Sequence, residues 1–519
     1  MSAEEKIMLK TIFISSTSAC FEWQNGEAYY SPKEYTVYLD DAEVLRGKTN
    51  VFSLFSLVPN REYVLTSEGT ELVFRTKEER AAINVRDFGA VGDGVTDDTE
   101  ALRAAINCMP SGSRLYFPDG VYLTAPLTLK SHVTLELSEG ATLLGIADRS
   151  RYPVIPGAVG DLNGGQDIHF GGWEGCAVPM YQSLISAQYA EDVTIVGRGT
   201  VNGNGEAGGW WQNELRRGPV KRPRTMFFNR CDGVRIHGVH VCNSPCWNIH
   251  PYFSSNVGLY DISVSAPKDS PNTDAIDPEA CDVVDIIGCK LSVGDDCIAI
   301  KSGKIDLAAV FKKPADHHTV RNCLMQFGHG ALTLGSEIGG GVTNLTVNRC
   351  VFEKTDRGLR IKTRRGRGKY CVIDGVVFDN IKMTGVLTPI VINAFYFCDP
   401  EGHTDYVQNR EKAPIDDRTP YLGSFTFKNM SCTDCEVAAC YCEGLPERPI
   451  ASITLENIDF SFSENANPQM PAMCERIEPM CRAGMVMKCV DSLTLKNVSV
   501  IGNDGEILVA DRVGEITES

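Results

Sequence analysis

The sequence predicts an all-β chain in which a small β-sandwich precedes a long solenoid of stacked β coils. Three observations carry this. At 519 residues the chain is too long for one ordinary compact core, which leaves two domains or a repeat array. Its 48 glycines and 25 prolines imply many turns. From Val193 onward an apolar pattern at positions 0, 2, 5 and 7 recurs toward the end of the chain, and self-similarity at roughly 20–50 residues marks a solenoid.

Residues 1-80 form the first expected domain. Thr11–Ile14, Ala19–Trp23, Tyr35–Leu39, Val51–Leu54, Glu62–Leu65 and Glu71–Phe74 read as short strands joined by turns, the pattern of a β-sandwich. The stretch from Leu57 to Tyr63 resembles a fibronectin type III corner. We expect this domain to shield one end of the solenoid, with Lys77-Glu78-Glu79-Arg80 as linker. Residues 81-519 form the second domain. It opens on a loop rich in Gly and Asp, followed by Glu100 to Met109, where Ala101, Ala104, Ala105 and Cys108 have helical spacing and Thr99 suits the N-cap. Asp93, Asp97 and Asp98 lack a full calcium-loop pattern and are assigned to turn and capping chemistry.

The repeat then runs through Val234-Ile236-Val239-Val241, Val257-Leu259-Ile262-Val264, Val284-Ile286-Cys289-Leu291, Leu345-Val347-Cys350-Phe352 and onward to Leu493-Leu495-Val498-Val500, with His318 at the first place of its rung. Two inward pairs separated by a bend suit a coil with two adjoining sheets, and no rung can bury its face alone. Cys289, Cys323 and Cys350 fall at one core position on successive rungs, where they act as small hydrophobes. Cys432-x-x-Cys435 is likewise assigned to the core rather than to zinc.

A second pattern, apolar-variable-apolar, joins Trp247-x-Ile249, Ile276-x-Pro278, Ile298-x-Ile300, Leu332-x-Leu334 and Leu359-x-Ile361 at offsets of 29, 22, 34 and 27 residues. Beside these runs lie Asn272-Thr273-Asp274, Gly294-Asp295-Asp296, Gly328-His329-Gly330 and Arg360-Ile361-Lys362. If each run is one rung, Asp274 and Asp296 share a column about 4.8 Å apart. Asp295 and His329 share the next. Alternation turns Asp295 away from Asp296 and projects Arg360, Lys362, Asn248, Asp277, Lys301 and His250 from the outward face.

These four motifs, in this order, resemble the polygalacturonase family of glycoside hydrolases over about residues 83-519. The resemblance implies a right-handed parallel β-helix, a helix capping its first coil, and hydrolysis of pectic galacturonate with inversion. It implies Asp295 as general acid, Asp274 and Asp296 as the pair that activates water, and His329 as a group tuning Asp295. Arg360 and Lys362 would take a galacturonate carboxylate on the leaving side, Tyr396 would pack on the sugar, and Asn272, Lys301, Asn248, His250 and Arg222 would be further substrate contacts. Insertions at residues 148-190, including Trp173, and 396-420 are expected beside the cleft. In the resembled family such loops close one end of the groove and give exo cleavage, and Arg364, Arg365, Arg367 or His250 are the candidates to read a chain terminus. The alternatives are a β-helical pectate lyase using an Arg base and Ca²⁺, a rhamnogalacturonan or xylogalacturonan hydrolase, and a glycan-binding structural β-helix.

The net charge of -17 argues against nucleic-acid binding. It also opposes a polyanionic substrate, so a local positive field is needed, and the basic residues between Lys354 and Lys369 supply one. No apolar run approaches the ~20 residues that span a bilayer. The charged start Met1 to Lys6 and twenty cysteines read as reduced thiols lead us to expect a cytoplasmic enzyme. No cofactor or metal is expected; monomer and homo-oligomer remain equal expectations.

Overall fold

A computed structural model of the chain describes residues 8–160 and 167–519; the reading of Met1 to Lys6 lies outside them. Seven antiparallel strands come first: β1 (Met8–Ile14), β2 (Ala19–Gln24), β3 (Tyr30–Leu39), β4 (Ala42–Thr49), β5 (Val51–Leu54), β6 (Glu62–Ser67) and β7 (Thr70–Arg75). Strands β1, β2 and β5 make one sheet, and the other runs β4-β3-β6-β7. Phe21, Trp23, Tyr35, Phe52 and Phe74 fill the space between them. Tyr63 accepts a hydrogen bond from the Val58 amide at 2.8 Å, fixing the corner expected from Leu57 to Tyr63. Strand β4 was not foreseen, because it is exposed or half-exposed throughout and carries no continuous apolar face.

The solenoid follows the expected register. Ile83, Leu115, Leu135, Ile195, Ile236, Leu259, Ile286, Val320, Val347, Phe378, Phe427, Leu455 and Leu495 stand opposite one another on successive parallel strands. His318 does occupy the first place of its rung, between Val284 and Leu345. The gap between the two inward pairs has a backbone cause. Gly238, Asp261, Gly288, Asn322, Arg349, Asn380, Asn429, Asn457 and Asn497, each at place four of its rung, have positive φ. Gly and Asn tolerate that conformation best, so each rung turns its corner there. Cys289, Cys323 and Cys350 are buried and unpaired, and Cys432 and Cys435 are core residues too.

Three expectations need correction. The helix α1 runs Thr99–Cys108 with Asp98 at its N-cap, and Thr99 instead donates to Asp97 within the turn. Its buried face is Leu102, Ala105 and Ile106, while Cys108 is exposed, because the helix packs its bulkier aliphatics onto the first coils. The sandwich does not cap an end of the solenoid. It lies along the flank formed by the corner residues, with Phe13, Cys20 and Val51 packed on Val196, Tyr260 and Ile287.

Glu22 anchors that flank. Fully buried, its carboxylate accepts from Arg321 at 3.0 Å, Arg349 at 2.8 Å and Asn322 at 2.7 Å. Removing it strands two cations in a desolvated interface, which costs about 3–5 kcal/mol. Glu22→Ala should therefore lower stability by that amount in urea unfolding. Lys382→Ala, which breaks only the half-exposed pair with Glu27, should change it by less than about 1 kcal/mol.

Candidate active site

A third face of the solenoid carries the site. Met226, Ile249, Ile276, Ile298, Leu332, Leu359 and Ile390 point inward on consecutive rungs, so residues just before and between them are presented together on the outer side. Ile249 opposes Ile276, which corrects the expected first offset from 29 to 27 residues. Trp247 therefore falls in the column of Asp274 and faces the cleft instead of the core.

Asp274 and Asp296 lie on adjacent rungs, the Ala275 amide donating to the Asp296 carbonyl at 3.1 Å. Asp295 does not turn away as alternation demanded. Each of the three carboxylates offers an oxygen within 4.8 Å of the others, because regular strand begins only at Ile298 and Asp295 sits in the preceding bend, its carboxylate accepting from the Asp296 amide at 3.0 Å. Asp295 alone of the three is partly open to solvent; Asp274 and Asp296 are 4% and 1% exposed.

Three carboxylates this close cannot ionise alike. Burial favours the neutral acid at Asp296, but Lys362 and Arg360 outweigh it and hold that carboxyl far below the usual range; their donors reach its two oxygens at 2.8 and 3.1 Å. Burial, then the charge of Asp295, pushes Asp274 well up. Burial, then the charge of Asp296, raises Asp295. The cluster is therefore uneven: Lys362 and Arg360 keep Asp296 ionised, while burial and like charge favour the protonated form at Asp274 and Asp295. His329 stands one rung from Asp295, its amide donating to the Asp295 carbonyl, and its ring pairs with Asp356 at 2.8 Å, a bond that raises the imidazole pKa.

These groups line a cleft of about 440 Å³. Asn272, Lys301 and Tyr396 line it as expected. Asn272 is held by Arg222, which donates to its side-chain oxygen at 2.6 Å. One wall is Trp173, from the insertion at 148-190, stacked on Trp247 at 5.0 Å and 12°. The opposite wall includes Met473, whose sulfur lies 2.9 Å from Arg360. Trp247, Glu337, Asp356 and Met473 were not foreseen. Met473 had a signal, since the rung from Ile453 to Leu493 spans 40 residues and must hold an insertion.

Six residues expected to contact substrate or read a chain terminus are not on the cleft. Asn248 is buried and donates to the Asp274 carbonyl at 2.9 Å. His250 is buried against Glu279 at 3.2 Å, and burial drives its pKa down. Arg222 lies under Trp173 and acts through Asn272. Arg364 is gripped by Asp399 and Glu401, Arg365 by Glu447, and Arg367 is buried near Asp399. Carboxylates from distant segments face these three arginines, which do not reach the cleft to read a terminus.

Comparison with known proteins agrees with this geometry. Residues 158–470 match the family described as glycosyl hydrolases family 28, and residues 82–144 match rhamnogalacturonase A/epimerase, pectate lyase-like. A probable polygalacturonase of Vitis vinifera is 31% identical over 403 residues, 76% of each chain. An exopolygalacturonase of Zea mays is 25% identical, over 76% of this chain and 87% of that one. Among solved structures, a hyperthermoactive exopolygalacturonase from Thermotoga maritima has a TM-score of 0.65 and 28% identity, covering 81% of this chain and 92% of that one. A family 28 exopolygalacturonase of Yersinia enterocolitica shares the fold across 99% of both chains, with a TM-score of 0.71 and 18% identity.

The Asp296 cluster sets an acid limit. Its folded-state pKa lies below the unfolded value, so its ionisation stabilises the fold above the ordinary carboxylate range and that contribution is lost as pH falls through the depressed value. Lys362→Met removes the leading cause of the depression, so acid unfolding followed by circular dichroism should begin at higher pH than in the wild type. Lys369→Met, which removes an exposed pair with Asp417 and a contact with the Tyr370 ring, both away from the cluster, should leave the acid midpoint unchanged.

Proposed function

The chain belongs to the glycosyl hydrolases of family 28, and from that premise we propose that it hydrolyses α-1,4-linked galacturonate chains from one end. The observation that supports this most is the cleft itself: an acid pair with raised pKa values and a fixed anion beside two cations, walled on one side by stacked tryptophans. Relatives with exopolygalacturonase in their names support the exo reading.

In this reading Asp295 is the general acid. It holds a proton above the ordinary carboxylate range and is the member of the trio that solvent, and hence a glycosidic oxygen, can reach. Asp296, kept ionised, takes the proton of the attacking water, and Asp274 on the adjacent rung helps to hold that water. Arg360 and Lys362 receive the carboxylate of the leaving-side sugar. Each has donors left after serving Asp296: among the described residues the second Arg360 nitrogen meets only the Met473 sulfur, a weak acceptor. Tyr396, 5.7 Å from Lys362, lies beside the same sugar, and Asn272 and Lys301 serve the opposite one.

The carboxylates are closer than the about 6.5–9.5 Å usual between acid and base in inverting enzymes, and nearer the about 5–5.5 Å of retaining ones. Inversion therefore requires the water to sit beside the Asp274–Asp296 pair, on the face of the sugar away from Asp295. Proton NMR of the first product reads this directly: the β anomer is expected, and an initial α anomer would exclude the assignment of Asp296 as base.

Asp295→Asn should lower turnover of oligogalacturonate by about 10²–10⁴-fold while calorimetric binding persists. The proton on Asp295 also sets the alkaline limb of kcat/KM, since activity is lost as pH rises through its raised value. The His329 cation pulls that value down. In His329→Gln the limb should therefore move to higher pH even as kcat falls; a limb that moves down would remove Asp295 from the role of acid. Polygalacturonate should release mono- or digalacturonate within minutes while viscosity falls slowly, and the products should carry no ultraviolet-absorbing double bond.

A further inference from the structure

Glu337 lines the cleft and has no part in the chemistry above. Its carboxylate accepts from Ser336 at 3.0 Å and from the Lys301 ammonium at 3.2 Å. Lys301 lies 4.6 Å from the centre of the Trp247 ring, on which Trp173 stacks. The loop carrying Trp173 and Glu174 rests on the turn after Lys301, the Lys304 amide donating to the Gly175 carbonyl at 3.2 Å. A Cβ on Gly175 would stand 2.5 Å from the Lys304 nitrogen, so the two segments meet without a gap. Gly303 pairs in turn with Ile338, the residue after Glu337. Glu337, Lys301 and the tryptophan wall are thus one continuous end to the cleft, separate from the walls that Arg360 and Met473 provide.

An end wall must tell the last sugar of a chain from an interior one. On the side away from the leaving group that difference is one hydrogen: the terminal residue has a free C4 hydroxyl, whereas an interior residue has that oxygen in a glycosidic bond. An ionised carboxylate is an acceptor only and needs that hydrogen. Lys301 keeps Glu337 ionised despite its burial, holding its pKa to about 2. A chain continuing past this point would also bring another uronate carboxylate against Glu174 and Glu337. We propose that Glu337, braced by Lys301 and Ser336, accepts a hydrogen bond from the free C4 hydroxyl of the non-reducing terminal galacturonate and so confines cleavage to chain ends, an inference that rests on the galacturonan reading.

The test compares two trimers, saturated trigalacturonate and the trimer whose non-reducing sugar is the 4-deoxy, 4,5-unsaturated residue left by elimination, which lacks the hydroxyl. A site built around a substrate hydroxyl rejects the analogue without it strongly, so wild-type kcat/KM should favour the saturated trimer by at least about 100-fold. Glu337→Gln keeps the shape and loses the charge; Glu337→Ala loses both. In each, kcat/KM for the saturated trimer should fall and the ratio between trimers should shrink below about tenfold. Equal cleavage of both trimers by the wild type, or an undiminished ratio in the two variants, would overturn the proposal. Failure of the wild type to cleave the saturated trimer at all would overturn the galacturonan reading, and this inference with it.

Discussion

In-register stacking of parallel rungs is the constraint on which the site depends. Once Ile276, Ile298, Leu332 and Leu359 are stacked inward, the spacing of adjacent strands, about 4.8 Å, dictates how near their outer side chains lie. Asp274 and Asp296 are brought together by that spacing, and Arg360 and Lys362 reach Asp296 from two rungs away. A one-residue slip would turn each of these groups into the core. The long apolar stack that resists such a slip is therefore also what holds like charges together.

That crowding has a chemical use because it is uneven. Two cations serve one carboxylate and leave its neighbours to burial and mutual repulsion. The result is an ionised group beside two carboxyls pushed toward the protonated form in a space of a few ångströms, the division of labour that acid–base hydrolysis needs. His329, held by Asp356, places its positive charge next to Asp295, which limits how high the Asp295 pKa can climb.

Much of this was legible in the sequence, for reasons that particular residues show. The 0, 2, 5, 7 pattern could be read because inward places admit little but apolar residues. The acidic trio could be read because its members are close in sequence to those apolar runs. The failures are physical as well. Alternation misplaced Asp295, since it holds within a strand and Asp295 precedes one. Trp247 passed for a core residue, although it faces the cleft beneath Trp173. Arg364, Arg365 and Arg367 looked free because their partners, Asp399, Glu401 and Glu447, come from segments 32 to 82 residues away. Glu337 had no local signal at all, since its meaning depends on Lys301 and on the loop resting beside it.

The central claim is that Asp295 supplies the proton to the departing sugar and does nothing else that another carboxylate could not. An activated aryl galacturonide, whose phenolate leaves without protonation, isolates that step. Asp295→Asn should hydrolyse it at close to the wild-type rate of glycosidic cleavage while remaining slowed by about 10²–10⁴-fold on digalacturonate, whereas Asp296→Asn should fail on both. If Asp295→Asn lost the aryl substrate as completely as the disaccharide, the residue would be needed for more than proton donation and the assignment of the trio would be contradicted.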